Sequence, residues 1–129
     1  MELIIALTIV GIVVAVAGLH FIRFSSTYKI HEAAREIASD LEFARLLAIK
    51  ENRDMRVVFR IDSYAILRAS DLQVVKSRNL TSDYPGVLLP DLSVIFNSRG
   101  NASPATITIS HFMGTQQVTV TSTGKVKTQ

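Results

Sequence analysis

From Leu3 to Ile22 the chain carries no ionisable side chain except His20, and the next full charge is Arg23. As a helix rising 1.5 Å per residue, such a run is roughly 30 Å long, the thickness of a bilayer's hydrocarbon core. A chain of 129 residues that opens this way has room for one small globular unit afterwards and no more. At the head of the run stands Glu2. A carboxylate in hydrocarbon costs about 2.5–3.5 kcal/mol even on lenient insertion scales, so it needs a partner.

Three readings of the run compete. A secretory signal peptide would use Ala15-Val16-Ala17, before Gly18, as its small-residue cleavage site. The segment, however, opens with an acid instead of a basic region and is long for a signal core. A plain membrane anchor fits the length. Arg23 and Lys29 then follow the span with nothing positive ahead of it, and the positive-inside rule read literally puts the globular part in the cytoplasm. The third reading is that a short basic leader precedes Met1 and hides the true topology. The first two leave Glu2 unexplained.

Composition removes several functions. There is no cysteine, which excludes disulfides, thiolate metal sites and cysteine nucleophiles. His20, His31 and His111 are scattered without metal-ligand spacing, so each is expected at the surface or in packing. No phosphate-binding loop, nucleophile elbow or dinucleotide fingerprint is present, and no pair of carboxylates stands out for acid–base work. The sequence therefore predicts neither an enzyme nor a bound cofactor or metal. All fourteen lysines and arginines fall at Arg23 or later, while Glu2 takes one of the eleven acids, leaving a mild positive excess beyond the apolar run. An ordinary basic surface accounts for it, as would contact with anionic lipid or nucleic acid. Asn79-Leu80-Thr81 and Asn101-Ala102-Ser103 match the glycosylation triplet, a pattern common by chance.

Beyond the run, Ile30, Ala34, Ile37, Leu41, Ala44 and Ala48 recur at steps of three and four, an apolar stripe on a helix over residues 28–52. Glu32, Arg35, Glu36, Asp40, Glu42 and Arg45 fall mostly between, with Glu42 and Arg45 as an expected surface pair of small value. No proline interrupts Leu3 to Asn52, so one continuous rod is expected, with Ser25-Ser26-Thr27 as a place for a slight bend. After Asn52 the period changes to two. Strands are expected at Met55 to Arg60 and Tyr64 to Ala69, joined by a tight turn at Ile61-Asp62-Ser63, and at Leu72 to Ser77. Residues 82–91 read as a loop. Further short strands are expected at Leu92 to Phe96, Ala105 to Ser110, Gln117 to Thr121 and Lys125 to Lys127, with turns at 97–100, Gly114 and 123–124. Six or seven such strands would be marginal alone, and laying the helix stripe across one face supplies the missing core.

The residues from Met1-Glu2-Leu3-Ile4-Ile5 through Val14-Ala15-Val16-Ala17 resemble the N-terminal helix of type IV pilins and type II secretion pseudopilins. In that family a glutamate near the mature N-terminus is followed nine residues later by a glycine, and Glu2 and Gly11 keep the spacing. Leu19 stands where many major pilins have a kinking proline, with Gly18 beside it to loosen the helix. Three later segments are similar to the H-type minor pseudopilins and T-type minor pilins, the GspH/FimT family. They are Leu41-Glu42-Phe43-Ala44-Arg45-Leu46-Leu47-Ala48-Ile49-Lys50, the stretch from Phe96-Asn97-Ser98-Arg99-Gly100 to Ser103, and the stretch from Val118-Thr119-Val120 to Lys127.

The resemblance implies an α+β, pilin-like fold: a long N-terminal helix on a C-terminal antiparallel β-domain. Residues 1–24 would be the transmembrane and filament-core helix, 25–53 its amphipathic continuation and 54–129 the globular β-domain. It implies a non-enzymatic subunit of a type II secretion pseudopilus or type IV pilus. The subunit would be held in the bacterial inner membrane by a single span, with its globular part in the periplasm, and later lie in an extracytoplasmic filament. Other pilins or pseudopilins, membrane lipid and a prepilin peptidase would be its partners. Three mature residues, including the methylated terminal one, and a leader ending in glycine would precede Met1. Glu2 would neutralise the buried terminal ammonium of a neighbouring subunit, a pair whose breaking costs about 3–5 kcal/mol. The alternative for Glu2 is a wet first-turn acid favoured by the helix dipole.

The closing Gly124-Lys125-Val126-Lys127 adds one expectation. On a strand, Lys125 and Lys127 share a side, and Arg99 or another turn residue would join them. Some T-type minor pilins that bind DNA during uptake end in a similar basic motif with arginines. Lysines lack the fork that grips phosphate with two bonds, and on an edge strand they also serve simply to block aggregation.

Overall fold

In the computed structural model the backbone is described over residues 1–129 and the side chains over residues 1–20 and 27–129. The side chains of Arg23, Ser25 and Ser26 thus lie outside the described residues. One helix, α1 (Glu2–Glu51), runs without a break, as expected from the missing prolines. Its first half is rich in β-branched residues, which are mediocre helix formers in water. In hydrocarbon the balance differs, because every backbone N–H and C=O must be satisfied within the segment. Thr8 follows the same rule by donating its hydroxyl to the Ile4 carbonyl at 2.8 Å.

The second half of α1 is built by packing. Ile30, Ala34, Ile37, Leu41, Ala44 and Ala48 are buried, and Ala33 joins them. Alanines let the sheets approach the helix closely. α1 ends at Asn52, whose left-handed backbone (φ 50°, ψ 44°) closes the last turn. The Arg53 N–H reaches the Ala48 carbonyl at 3.1 Å, and Lys50 lies in the last turn near the negative end of the dipole.

Seven strands follow. β1 (Met55–Phe59), β2 (Ser63–Arg68), β3 (Val74–Asn79) and β4 (Leu92–Phe96) form one antiparallel sheet in the order β3-β2-β1-β4. β5 (Ala105–His111), β6 (Gly114–Val120) and β7 (Val126–Thr128) form the second, in sequence order. Short bridges, Leu88 to Ser110 and Phe96 to Ala102, join the outer edges of the sheets to neighbouring loops. α1 lies against strands of both sheets. Alternation sets the core: Met55, Val57 and Phe59 face inward, as do Val94 and Phe96, Ile107 and Ile109, and Val118 and Val120.

Several boundaries differ from the sequence expectation. β3 starts at Val74 because Leu72 sits in a left-handed turn (φ 56°) held by its N–H on the Arg68 carbonyl. Gly114 is the first residue of β6, paired with His111, and the turn is carried by Phe112 and Met113. β7 begins at Val126, so Lys125 belongs to the preceding turn, whose geometry Thr121 fixes through its hydroxyl and backbone. Within the expected loop over residues 82–91 lies the end of a short helix, α2 (Leu80–Asp83). The Asn79 side chain caps it by accepting from the Thr81 and Ser82 N–H groups at 2.9 and 3.4 Å.

Candidate functional site

The described part of the apolar half of α1, Glu2–His20, has no tertiary partner. The span Glu2–His20 has a mean hydropathy of 2.6 and none of it is buried. Glu2 stands exposed in the first turn, and among the described residues it makes no ion pair. A side chain at Gly11 would meet nothing within 4 Å. At 100° per residue, the nine steps from Glu2 to Gly11 place them on opposite faces of the helix, roughly 13.5 Å apart along its axis. They would therefore meet different neighbours.

Where α1 meets the first sheet, a charged network crosses the interface. Asp40, one of the charges that fall between the stripe positions, is only 5% exposed. Its two oxygens accept from the Tyr64 hydroxyl at 2.5 Å and the Lys76 ammonium at 2.6 Å, with the Arg78 guanidinium 3.9 Å away. Arg78 also pairs with Glu36. The Lys76 ammonium lies 5.6 Å from the centre of the Phe43 ring, and the Tyr64 ring is tilted against Phe59 at 5.5 Å. Burial first, then the hydrogen bond to Asp40 and its charge, holds the Tyr64 phenol well above its ordinary titration range. Tyr84, beside the same network, is raised by burial and by the charges of Glu32 and Asp83. A shallow groove of about 490 Å³ runs along the network, bordered by Tyr28, Glu32, Arg35 and Tyr84.

A second junction ties the C-terminal end of α1 to two turns. The Arg45 guanidinium donates from Nε to the Gly100 carbonyl at 3.0 Å and from Nη2 toward the Thr123 carbonyl at 3.5 Å. The expected pair with Glu42 is present at 3.7 Å, but it is the lesser of the contacts. Gly124 packs so closely that a Cβ there would overlap the Gly100 carbonyl oxygen, and its φ of 80° also favours glycine. The turns carrying Arg99 and Lys125 thus touch through their glycines. Arg99, Lys125 and Lys127 are all exposed. Glu51 and Arg68 close this end with a bond of 3.1 Å, which raises the arginine's pKa.

The roles of Asp40 and Arg45 escape sequence reasoning because their partners lie on other elements. The only available signal is that Asp40 sits one step before Leu41 of the apolar stripe. His20 and His31 are exposed, and His111 is half-buried beneath Gly86. Among the described residues no group of three or more His, Asp or Glu could hold a metal ion.

Comparison with known proteins places this arrangement. The fold is pilin-like: it is similar to the type IV minor pilin FimU of Pseudomonas aeruginosa, with a TM-score of 0.67 at 12% identity, covering 82% of this chain and 92% of that one. It is also similar to the minor pseudopilin EpsH from the type 2 secretion system of Vibrio cholerae, with a TM-score of 0.61 at 19% identity over 78% of this chain and 96% of that one. No curated protein sequence matches the chain. The family model of the type II transport protein GspH matches residues 33–124, from the stripe of α1 to the turn before β7. With most of its length so matched, this chain belongs to the GspH family.

Proposed function

We propose that this chain is a structural subunit, a minor pseudopilin or minor pilin, and not an enzyme. It assembles through the apolar half of α1 into a type II secretion pseudopilus or a type IV pilus. The observation that carries this reading is a bilayer-length half-helix with no partner in its own chain, joined to a fully packed GspH-family unit. Two environments suit such a half-helix: the inner membrane before assembly and a bundle of like helices afterwards. In either, the globular part stands outside the bundle, on the periplasmic side. A prepilin peptidase would be a further partner before assembly. Glu2 then neutralises the terminal ammonium of the neighbouring subunit. The test is Glu2→Ala, scored separately for membrane level and for incorporation into sheared filaments. Normal membrane level with lost incorporation is expected, and unchanged incorporation would overturn the pairing.

A second reading, a filament-borne DNA-binding module for uptake, is favoured by the contact between Gly100 and Gly124. It brings the Arg99 and Lys125 turns side by side, with Lys127 two residues on. Three phosphate contacts would give duplex affinity a log–log salt slope of about −2.7. Lys125→Ala with Lys127→Ala should flatten it, and absence of binding at low salt would remove this reading.

A further inference from the structure

The end of the globular unit that faces the start of α1 carries an apolar patch that the fold does not cover. Phe112, at the tip of the β5–β6 hairpin, is 82% exposed, and Met113, Leu88 and Ile61 are exposed beside it. Backbone bonds hold these residues together. Leu88 pairs with Ser110, and the Leu89 N–H reaches the Ile61 carbonyl at 2.9 Å. The His111 ring lies against the Phe112 ring at 4.2 Å, and the Met113 N–H donates to His111 Nδ1 at 3.3 Å. The tip is therefore a braced hairpin.

Its height along α1 follows from two contacts. His111 packs beneath Gly86, and Tyr84, two residues before that glycine, borders the groove beside Tyr28 and Glu32. The patch thus lies toward the Tyr28 end of α1's packed half, beside a groove whose other end reaches Asp40. The opposite end of the same hairpin sheet is fixed by Arg45 and the Gly100–Gly124 contact, far down the helix.

From these positions we infer that the Phe112 patch rests in the headgroup layer of the bilayer that its own helix spans. This rests on the anchored-helix reading above. Eight residue steps separate His20 from Tyr28, roughly 12 Å of helix. A headgroup layer adds about 5–7 Å beyond the hydrocarbon. An ordinary helix tilt of about 20° lowers a point ~15 Å off the axis by roughly 5 Å, which narrows the remaining gap. The tether makes contact effectively intramolecular, so a few apolar side chains suffice. Tyr28, exposed on α1 between the span and the packed stripe, is a residue type that favours this layer. Extraction into a filament would then have to release the patch as well as the span.

The chain contains no tryptophan, so Phe112→Trp supplies a single reporter. The full chain is placed in phosphatidylethanolamine–phosphatidylglycerol vesicles and probed with lipids brominated high on the acyl chain and with aqueous iodide. Val10→Trp reports the span, and Leu46→Trp, roughly 39 Å past His20, reports the far end. For Phe112→Trp we expect emission blue-shifted relative to Leu46→Trp, quenching by brominated lipid that Leu46→Trp does not show, and protection from iodide. Emission matching Leu46→Trp, with Val10→Trp still quenched by lipid, would overturn the inference and leave the anchor standing. Lack of lipid quenching at Val10→Trp would sink the anchor and the inference with it. Protection from iodide that grows with protein density, without lipid quenching, would show a second copy on the patch and overturn the lipid assignment.

Discussion

Between Glu2 and His20 every residue of α1 is exposed, whereas from Ile30 to Ala48 the same helix buries a stripe that reaches both sheets. The backbone ladder is identical in the two halves, but the cause of helicity is not. The first half is apolar all round, the signature of a helix whose solvent is lipid or other helices. The second is amphipathic and mixes small apolar residues with charges that reach across to β3. One element thus answers to two surroundings, and only one of them lies within this chain. The stability of the globular unit should therefore depend on residues 30–48 and be indifferent to residues 3–20, while the proposed assembly would depend on the reverse.

The largest effect that would sharpen this contrast is at Ile37, fully buried in the stripe. Ile37→Ala should cost about 2–5 kcal/mol, read as a lowered midpoint of urea unfolding of the full chain in micelles. A shift under about 0.5 kcal/mol, the scale of an ordinary surface substitution, would show that the stripe is not the core.

Next in size is Tyr64→Phe, which removes the hydroxyl donated to Asp40. A hydrogen bond to a charged group contributes about 1.5–3 kcal/mol, and Asp40 keeps Lys76 as a partner, so the lower end is expected. The same residue sets a pH dependence. The folded state keeps the Tyr64 proton where the unfolded chain, titrating near 10.0, has lost it. Stability is thus fully present below that pH and declines as pH rises above it. Tyr64→Phe should flatten the decline between pH 10 and 12, apart from a smaller remainder from Tyr84. An unchanged slope would remove Tyr64 as its source.

The smallest effect is the one that would break the comparison most directly. Ile9→Ala lies in the unpartnered half, so the urea midpoint of the globular unit should stay within about 0.5 kcal/mol of the parent. Destabilisation matching that of Ile37→Ala would mean that the first half packs on the globular unit after all.

Much of this was legible residue by residue. Steps of three and four found Ile30, Ala34, Ile37, Leu41, Ala44 and Ala48, and alternation found the inward pairs Ile107 with Ile109 and Val118 with Val120. Periodicity reports which face of an element is apolar, because the repeat is a property of local geometry. It missed the late start of β3, since Leu72 in a left-handed turn is a conformation that its type rarely adopts. It also placed Lys125 one step too far into the last strand. Nothing local marks the Thr121 hydroxyl as the brace of that turn.

By itself the sequence determined the continuous helix, the division of that helix into an apolar and an amphipathic half, and the alternating β-unit that follows. Each of these is written in spacing and side-chain solubility along a single element. Only the tertiary structure decided that Asp40 is buried among Tyr64, Lys76 and Arg78, that Arg45 joins the helix to two turns, and that Phe112 is left bare at the end nearest the span. Those outcomes depend on how distant elements meet. A charge is worth burying only when its partners arrive from elsewhere, and an apolar tip stays uncovered only when nothing folds over it.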